Sequence, residues 1–494
     1  MRGTAPAASA ARSSSLRSRG SELTGLYRLP HLLRHLPFLP TAFALVLAWG
    51  AFQLGWGETI QVTEGLGFYY GRRYGEIAQD FPRQVFTEGL DAFRLQRVLP
   101  SGVVYLALRG LGVRRDPQHV RDAFQLLNLA CLLTTVVAWH GITRRVGIAE
   151  PGAWLGFCLL FLNVANLKMP YYIAVLTDTS ALALGALLVY FHVSSNAVGM
   201  LAVLLLAAFT WPPLFLFGSF LFAFPSAPLP DKDDGRGRSR VAVAAALLFC
   251  GLLVFYRDAL SRELLSLTLV ILLGYVFGVA RGLSSNPALF ERATYFGGLA
   301  RRRAACVAAV FVVIQLGIHA ASTAPGMTLP RHLRNLVLWV TARPGIFFVG
   351  HVVYFGLVAV LLLALWPVVP RALFRFGLGM TLYVGALFAH SVNCESRQLI
   401  EGLPAYVLLA VSAAEAVRWP RWATWVVAGL GLAGSKVWLS INQGVFGSPF
   451  EYPAQLFYMN HGPSMTDATY GIQGGIVVLL MLSALASRRR LLGR

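Results

Sequence analysis

Residues 346–370 read IFFVGHVVYFGLVAVLLLALWPVVP, 25 positions without an Asp, Glu, Lys or Arg. About 20 apolar residues carry an α-helix across the ~30 Å hydrocarbon layer of a bilayer, so this stretch predicts a membrane span over 346–366. Leu36 to Gly57, Ala304 to Ala321, Phe376 to Cys394 and Gly471 to Ala486 are equally free of charge. None alternates polar with apolar positions in the ~10-residue segments of a transmembrane β-barrel. The 494-residue chain is 56% hydrophobic and 13% charged, against about 25% charged residues in soluble domains. The fold class this predicts is an all-α polytopic integral membrane protein with about 12–14 transmembrane helices. The predicted spans are 36–57, 122–142, 151–167, 179–193, 197–210, 212–226, 241–256, 264–280, 304–321, 346–366, 376–392, 402–417, 422–435 and 471–486. Val98 to Leu111 is apolar but short, which places it in the interface or as a re-entrant segment. Trp211-Pro212-Pro213 breaks the uncharged run from Leu201 to Pro230 into two short spans.

The net charge of +20 then becomes a statement about topology. In this layout nearly all of the Lys and Arg excess falls on one side: the N-terminal tail, Arg144-Arg145, the loop from Asp231 to Arg240, Arg301-Arg302-Arg303 and Arg488-Arg489-Arg490. Excess Lys and Arg mark the cytoplasmic face, so both termini are expected there. The predicted organisation is a disordered basic cytoplasmic tail over 1–35, a single polytopic membrane domain over 36–487 and a basic cytoplasmic tail over 488–494. The first apolar run is too long for a signal-peptide h-region and is expected to be retained as a span.

Several function classes are disfavoured. The basic residues are scattered and lack an aromatic-interleaved patch, so no nucleic-acid partner is expected. Cys131, Cys158, Cys250, Cys306 and Cys394 form no CxxC pair, which supports neither a disulfide framework nor a zinc knuckle. No GxxxxGKS, HExxH, GxSxG or CxxCH motif occurs.

Polar chemistry collects in the segments assigned to the outer face. The long first outer loop, 58–121, holds Glu58, Glu64, Glu76, Asp80, Glu88 and Asp91 with interspersed arginines and aromatics. Tyr74 to Phe81 has the pattern of an amphipathic helix lying on the membrane surface. Gln96-Arg97 stands directly before an apolar segment, where an arginine suits a lipid phosphate; snorkelling of its long side chain is the plainer alternative. Asp178 opens an apolar run. It is a candidate functional carboxylate at a span's lip or simply a helix N-cap. Glu395, Arg397 and Glu401 fall in a very short loop, as a site or as a self-satisfied pair. The last outer loop, 436–470, contributes Tyr, Asn, Asp and His461 as possible pocket lining or as a lid without chemistry.

The stretch "FYYGRRYGEIAQDF … DAFRLQRVLPSG" resembles the YDGxxYxxIA pattern and following Arg-containing segment of bacterial membrane glycosyltransferases of the GT-C superfamily. The Asp of "PYYIAVLTDTSAL" is similar to that fold's second outer-loop acid. The resemblance covers roughly residues 36–225, and Tyr70 stands where the family pattern has Asp. It implies a GT-C-like fold whose first outer loop carries amphipathic juxtamembrane helices, in the bacterial cytoplasmic (inner) membrane and serving the cell envelope. It also implies a polyprenyl-phosphate-linked sugar as donor, an envelope glycan, lipid or protein as acceptor, and membrane lipids as surroundings. The implied reaction is inverting hexosyl or pentosyl transfer. A first-loop carboxylate (Glu64, Asp80 or Asp91) would act as base, and Asp178 would position the acceptor or hold a divalent cation such as Mg²⁺ or Mn²⁺. Tyr74, Gln96, Arg97, Glu395, Arg397 and His461 are the expected substrate-binding residues, the arginines neutralising the leaving phosphate. A polysaccharide or lipid-linked oligosaccharide transporter or polymerase is the alternative.

Overall fold

A computed structural model describes residues 37–224, 226–230, 238–261, 264–326, 328–442 and 465–491. The described residues are mostly helical, without a strand. The order is α1 (Phe38–Trp56), α2 (Tyr69–Gln79), α3 (Leu99–Gly110), α4 (Pro117–Val146), α5 (Glu150–Phe161), α6 (Asp178–Val193), α7 (Ala197–Ala208) and α8 (Pro212–Ala223). There follow α9 (Arg238–Phe255), α10 (Leu265–Leu283), α11 (Arg292–Gly298), α12 (Arg301–Ala321), α13 (Leu329–Val340), α14 (Ile346–Phe355), α15 (Val358–Ala364) and α16 (Val369–Phe374). The chain closes with α17 (Gly377–His390), α18 (Leu403–Ala416), α19 (Arg421–Ser435) and α20 (Asp467–Leu491).

Six described helices are long and apolar enough to cross a membrane, or up to eight if two bent pairs each count as one span. The difference from the expected 12–14 lies mainly in five apolar helices of 10–17 residues, α6, α7, α8, the part of α9 from Ser239 to Phe255, and α17. At 1.5 Å rise per residue these are short of ~30 Å. The opening stretch is itself one of the exceptions. The single span expected over 346–366 is broken at Gly356, and α14 and α15 meet at 119°. The backbone there has φ 66° and ψ −138°, a region essentially reserved for glycine. The span expected over 151–167 also turns, by 75°, where Asn163 caps a new helical turn by accepting the Asn166 N–H. The break at Trp211-Pro212-Pro213 and the short helix α3 fall where the sequence predicts them. The C-terminal helix runs to Leu491, past the boundary at 487 expected for the membrane domain.

The helix Ser396–Ala416, a 3₁₀ turn continued by α18, is the central element. Of its apolar window 89% is buried, against 11% for α10 and α12, whose apolar faces point outward. α6 packs on α4 and crosses the 396–402 turn at Gly185, where a Cβ would lie 2.1 Å from the Glu401 carbonyl oxygen. That close crossing brings the N-terminal end of α6 beside the 391–401 segment. The two ends of the bundle are also distinguishable by polar ties. Arg334 of α13 pairs with Asp258 at 3.1 Å, and Arg343 with Asp467 at 2.7 Å. At the other end Glu415 accepts the Ala149 N–H at 2.8 Å.

Candidate functional site

Two arginines near the ends of apolar segments meet in one cavity of ≈ 1330 Å³. The first arrives on the loop before α3. Asp91 caps the four-residue turn Ala92–Leu95 by accepting the Arg94 N–H at 2.8 Å, and its other oxygen pairs with the Arg94 guanidinium at 2.5 Å. That turn delivers Gln96 and Arg97 to the cavity wall. The Arg97 guanidinium lies 3.7 Å over the Phe93 ring and 5.6 Å from the Trp211 ring, and donates to the Phe93 carbonyl at 3.1 Å. Among the described residues no carboxylate pairs with it. Burial pulls its pKa below the ordinary arginine value, with nearby Tyr74 opposing.

The second arginine, Arg397, comes from the loop between α17 and α18. It donates to Glu395 at 2.7 Å and lies 3.8 Å from Asp178. Glu395 also accepts from the Gln398 amide, whose oxygen accepts from Asn393 at 2.9 Å. His351 of α14 holds both stems of this loop, reaching Ser396 Oγ at 2.9 Å and the Ser391 carbonyl at 2.6 Å. Glu401, fully buried, accepts the Trp211 indole N–H at 2.9 Å and so fixes a ring of the cavity wall.

Asp178 stands behind Arg397 and does not itself line the cavity. It is buried, and its Oδ1 has no hydrogen-bond partner among the described residues. The N-cap position of α6 is Thr177, and Asp178 is the first helical residue after it. Tyr74 does line the cavity, on the buried face of the amphipathic helix α2. Burial raises its phenol pKa to about 12, while Arg97 and Arg397 oppose the rise. It is therefore a neutral hydroxyl able to donate.

Of the expected residues, Tyr74, Gln96, Arg97, Glu395 and Arg397 come together in the cavity, with Asp178 in the layer behind. The first-loop acids do not line it. Glu64 is exposed in a turn with φ 54°. Asp80 is exposed and accepts the Arg83 N–H at 3.5 Å. Asp91 is spent on its cap and on Arg94. His461 lies outside the described residues. The sequence did not single out His332 and His390, whose rings line the cavity 6.2 Å apart. They stand far apart in the chain, and only the fold brings their rings to one cavity.

Among the described residues no three His, Cys, Asp or Glu side chains converge to hold a metal ion. Between Asp178 and Glu395, where a divalent cation would have its oxygen ligands, the charge is supplied by Arg397. These residues do not fit the divalent cation, Mg²⁺ or Mn²⁺, that the resemblance leaves open.

The fold and cavity thus define an all-helical protein with several helices of membrane-spanning length and a two-arginine site at one end of its bundle. No family model, curated protein or solved structure matches the chain.

Proposed function

We propose that the cavity binds the phosphate of a polyprenyl-phosphate-linked sugar and that the protein transfers this sugar to an acceptor hydroxyl, in the GT-C manner. The observation that carries this reading is Arg97, a half-buried guanidinium in a cavity with no carboxylate partner among the described residues. A cation left in that condition calls for an anion, and a planar guanidinium suits a phosphate. The apolar and aromatic remainder of the lining suits a lipid-borne substrate. In this reading α2 and α3 serve as the juxtamembrane helices that the resemblance implies. In this proposal the short apolar helices complete a set of 12–14 membrane segments, packed between neighbours that shield their ends. The cavity then opens on the outer face of a bacterial inner membrane, with both termini in the cytoplasm. Arg97 and Arg397 stabilise the charge developing on the departing phosphate. Tyr74 donates to the same oxygens, and Asp178 holds Arg397 in place.

The test uses the full chain in lipid nanodiscs with radiolabelled polyprenyl-phosphate hexose and pentose donors and envelope-glycan acceptors. Wild-type protein is expected to release polyprenyl phosphate and label the acceptor, and Arg97→Ala to lose at least tenfold in donor affinity. Failure of the wild-type chain to bind polyprenyl phosphate would overturn the reading. Movement of intact donor across a sealed bilayer without release of polyprenyl phosphate would favour the transporter alternative.

A further inference from the structure

Transfer needs a base for the acceptor's proton, and the carboxylates near the cavity are poorly placed to be that base. Both Glu395 oxygens are engaged, one by Arg397 and one by Gln398. Asp178 stands behind Arg397, Glu401 is buried against Trp211, and Glu64, Asp80 and Asp91 lie elsewhere.

Two imidazoles remain. His332 projects from the amphipathic helix α13 and His390 is the last residue of α17; their rings stack at 17° with centroids 6.2 Å apart. Phe217 lies 5.9 Å from the His390 ring. Both rings line the same cavity as Arg97 and Arg397. Nε2 of His390 is enclosed and without a hydrogen-bond partner among the described residues. An enclosed ring nitrogen left unpaired carries a desolvation cost that a substrate hydroxyl relieves. The His390 ring lines the cavity, and no side-chain hydrogen bond to it is present among the described residues.

We infer that, within the glycosyl-transfer reading above on which this rests, the His332–His390 pair is the base that takes the acceptor's proton. The acceptor O–H gives its proton to an imidazole nitrogen as its oxygen bonds the anomeric carbon. The bond from that carbon to the phosphate oxygen breaks, and its electron pair leaves with polyprenyl phosphate. The imidazolium then returns its proton to the phosphate or to water.

The surroundings of His332 favour its neutral form. Burial lowers the His332 pKa below the ordinary histidine value, and Glu395 opposes only in part. The other charged or titratable groups facing the pair are Arg97, Tyr70 and Tyr74 from the first loop, Arg397 beside Glu395, and His351 of α14. On α13 itself Arg334 is tied to Asp258, and Arg331 is exposed. Neutral imidazole is the reactive species, so activity declines as pH falls through the pair's titration.

The experiment measures kcat and kcat/KM from pH 5 to 9, with polyprenyl-phosphate binding alongside, for wild type, His332→Gln, His390→Gln and His390→Ala. The expected result is a fall in kcat of about 10²-fold or more in His390→Gln, a smaller fall in His332→Gln, and donor binding within threefold of wild type. The acid limb of the wild-type profile disappears, and added imidazole restores turnover to His390→Ala. A merely structural role would not give that rescue. Wild-type transfer combined with an unchanged acid limb in both Gln variants, or with no imidazole rescue, overturns this inference alone. A wild-type chain that neither binds donor nor transfers sugar overturns the reading beneath it as well.

Discussion

The first loop and the 391–401 segment are both rich in carboxylates, and they use them in opposite ways. In the first loop most acids are satisfied locally and near solvent. Glu76 takes Arg72 and Arg73, each at 2.8 Å; Glu88 takes Arg83 at 2.8 Å; Asp91 takes Arg94. Exposed pairs of this kind are worth about 0–1 kcal/mol each. They shape a surface layer without leaving a charge for a ligand. Around the short segment, Glu395 and Asp178 instead flank one largely enclosed arginine. A density of acids marks a solvated surface, whereas a cation shared between buried acids marks a place where adding or removing an anion changes the energy.

The sharpest way to break that contrast is Arg397→Ala. It would leave Glu395 and Asp178 without their common cation, and uncompensated buried charge costs about 3–5 kcal/mol. Thermal or denaturant unfolding in nanodiscs is expected to show a loss of that size together with loss of polyprenyl-phosphate binding. Arg72→Ala, removing an exposed pair, is expected to cost below about 1 kcal/mol. Equal costs for the two variants would erase the distinction.

The next effect belongs to the one first-loop acid that reaches across the chain. Glu58 accepts from Lys168 at 2.9 Å, from the Ile441 N–H at 2.9 Å and from the Ser440 hydroxyl, tying three segments together. Burial raises its pKa, but these bonds outweigh burial and hold it below the ordinary value of 4.5. A depressed carboxylate contributes stability that is fully present above its unfolded pKa and is lost as pH falls through the folded one. Glu58→Gln is therefore expected to cost about 1.5–3 kcal/mol at pH 7, the range for hydrogen bonds to charged groups. The gap from wild type should close as pH drops below 4.5. A gap that is the same at pH 7 and well below pH 4.5 would count against an ionised Glu58 as the tie.

Much of this architecture is legible in the sequence, for identifiable reasons. Uncharged runs and a Trp-Pro-Pro break follow from backbone hydrogen bonding alone, and α7 and α8 fall where that break puts them. Arg97 and Arg397 are legible because an arginine beside an apolar segment has few places to put its charge. The bend at Gly356 is less so, since glycine is common in membrane helices and only the local φ and ψ distinguish a kink from an ordinary turn. The stacking of His332 on His390 is not legible at all. It depends on α13 folding over the cavity, a tertiary event without periodicity in the chain. For Asp91 the local sequence is more informative than the family pattern, since Asp91 and Arg94 at i and i+3 spell a capped, self-paired turn.

Asp91 and Glu64 bring the comparison down to its smallest scale. Both were candidate bases, and a base must keep a lone pair for substrate. In Asp91 one oxygen receives a backbone N–H and the other a guanidinium, so its work is to shape the turn that delivers Arg97. Asp91→Asn keeps an oxygen for the N-cap and is expected to change stability by only a few tenths of a kcal/mol, while Asp91→Ala removes the cap and costs about 1 kcal/mol. Because Arg97 follows that turn, Asp91→Ala should weaken donor binding modestly, whereas a lost base would lower kcat at unchanged affinity. Glu64 is exposed and does not line the cavity, so Glu64→Gln is expected to stay within about 0.5 kcal/mol of wild type and to keep wild-type turnover. A hundredfold fall in kcat for Glu64→Gln or Asp91→Asn, with donor affinity intact, would return the base to the first loop and reverse the assignment of chemistry between the two regions.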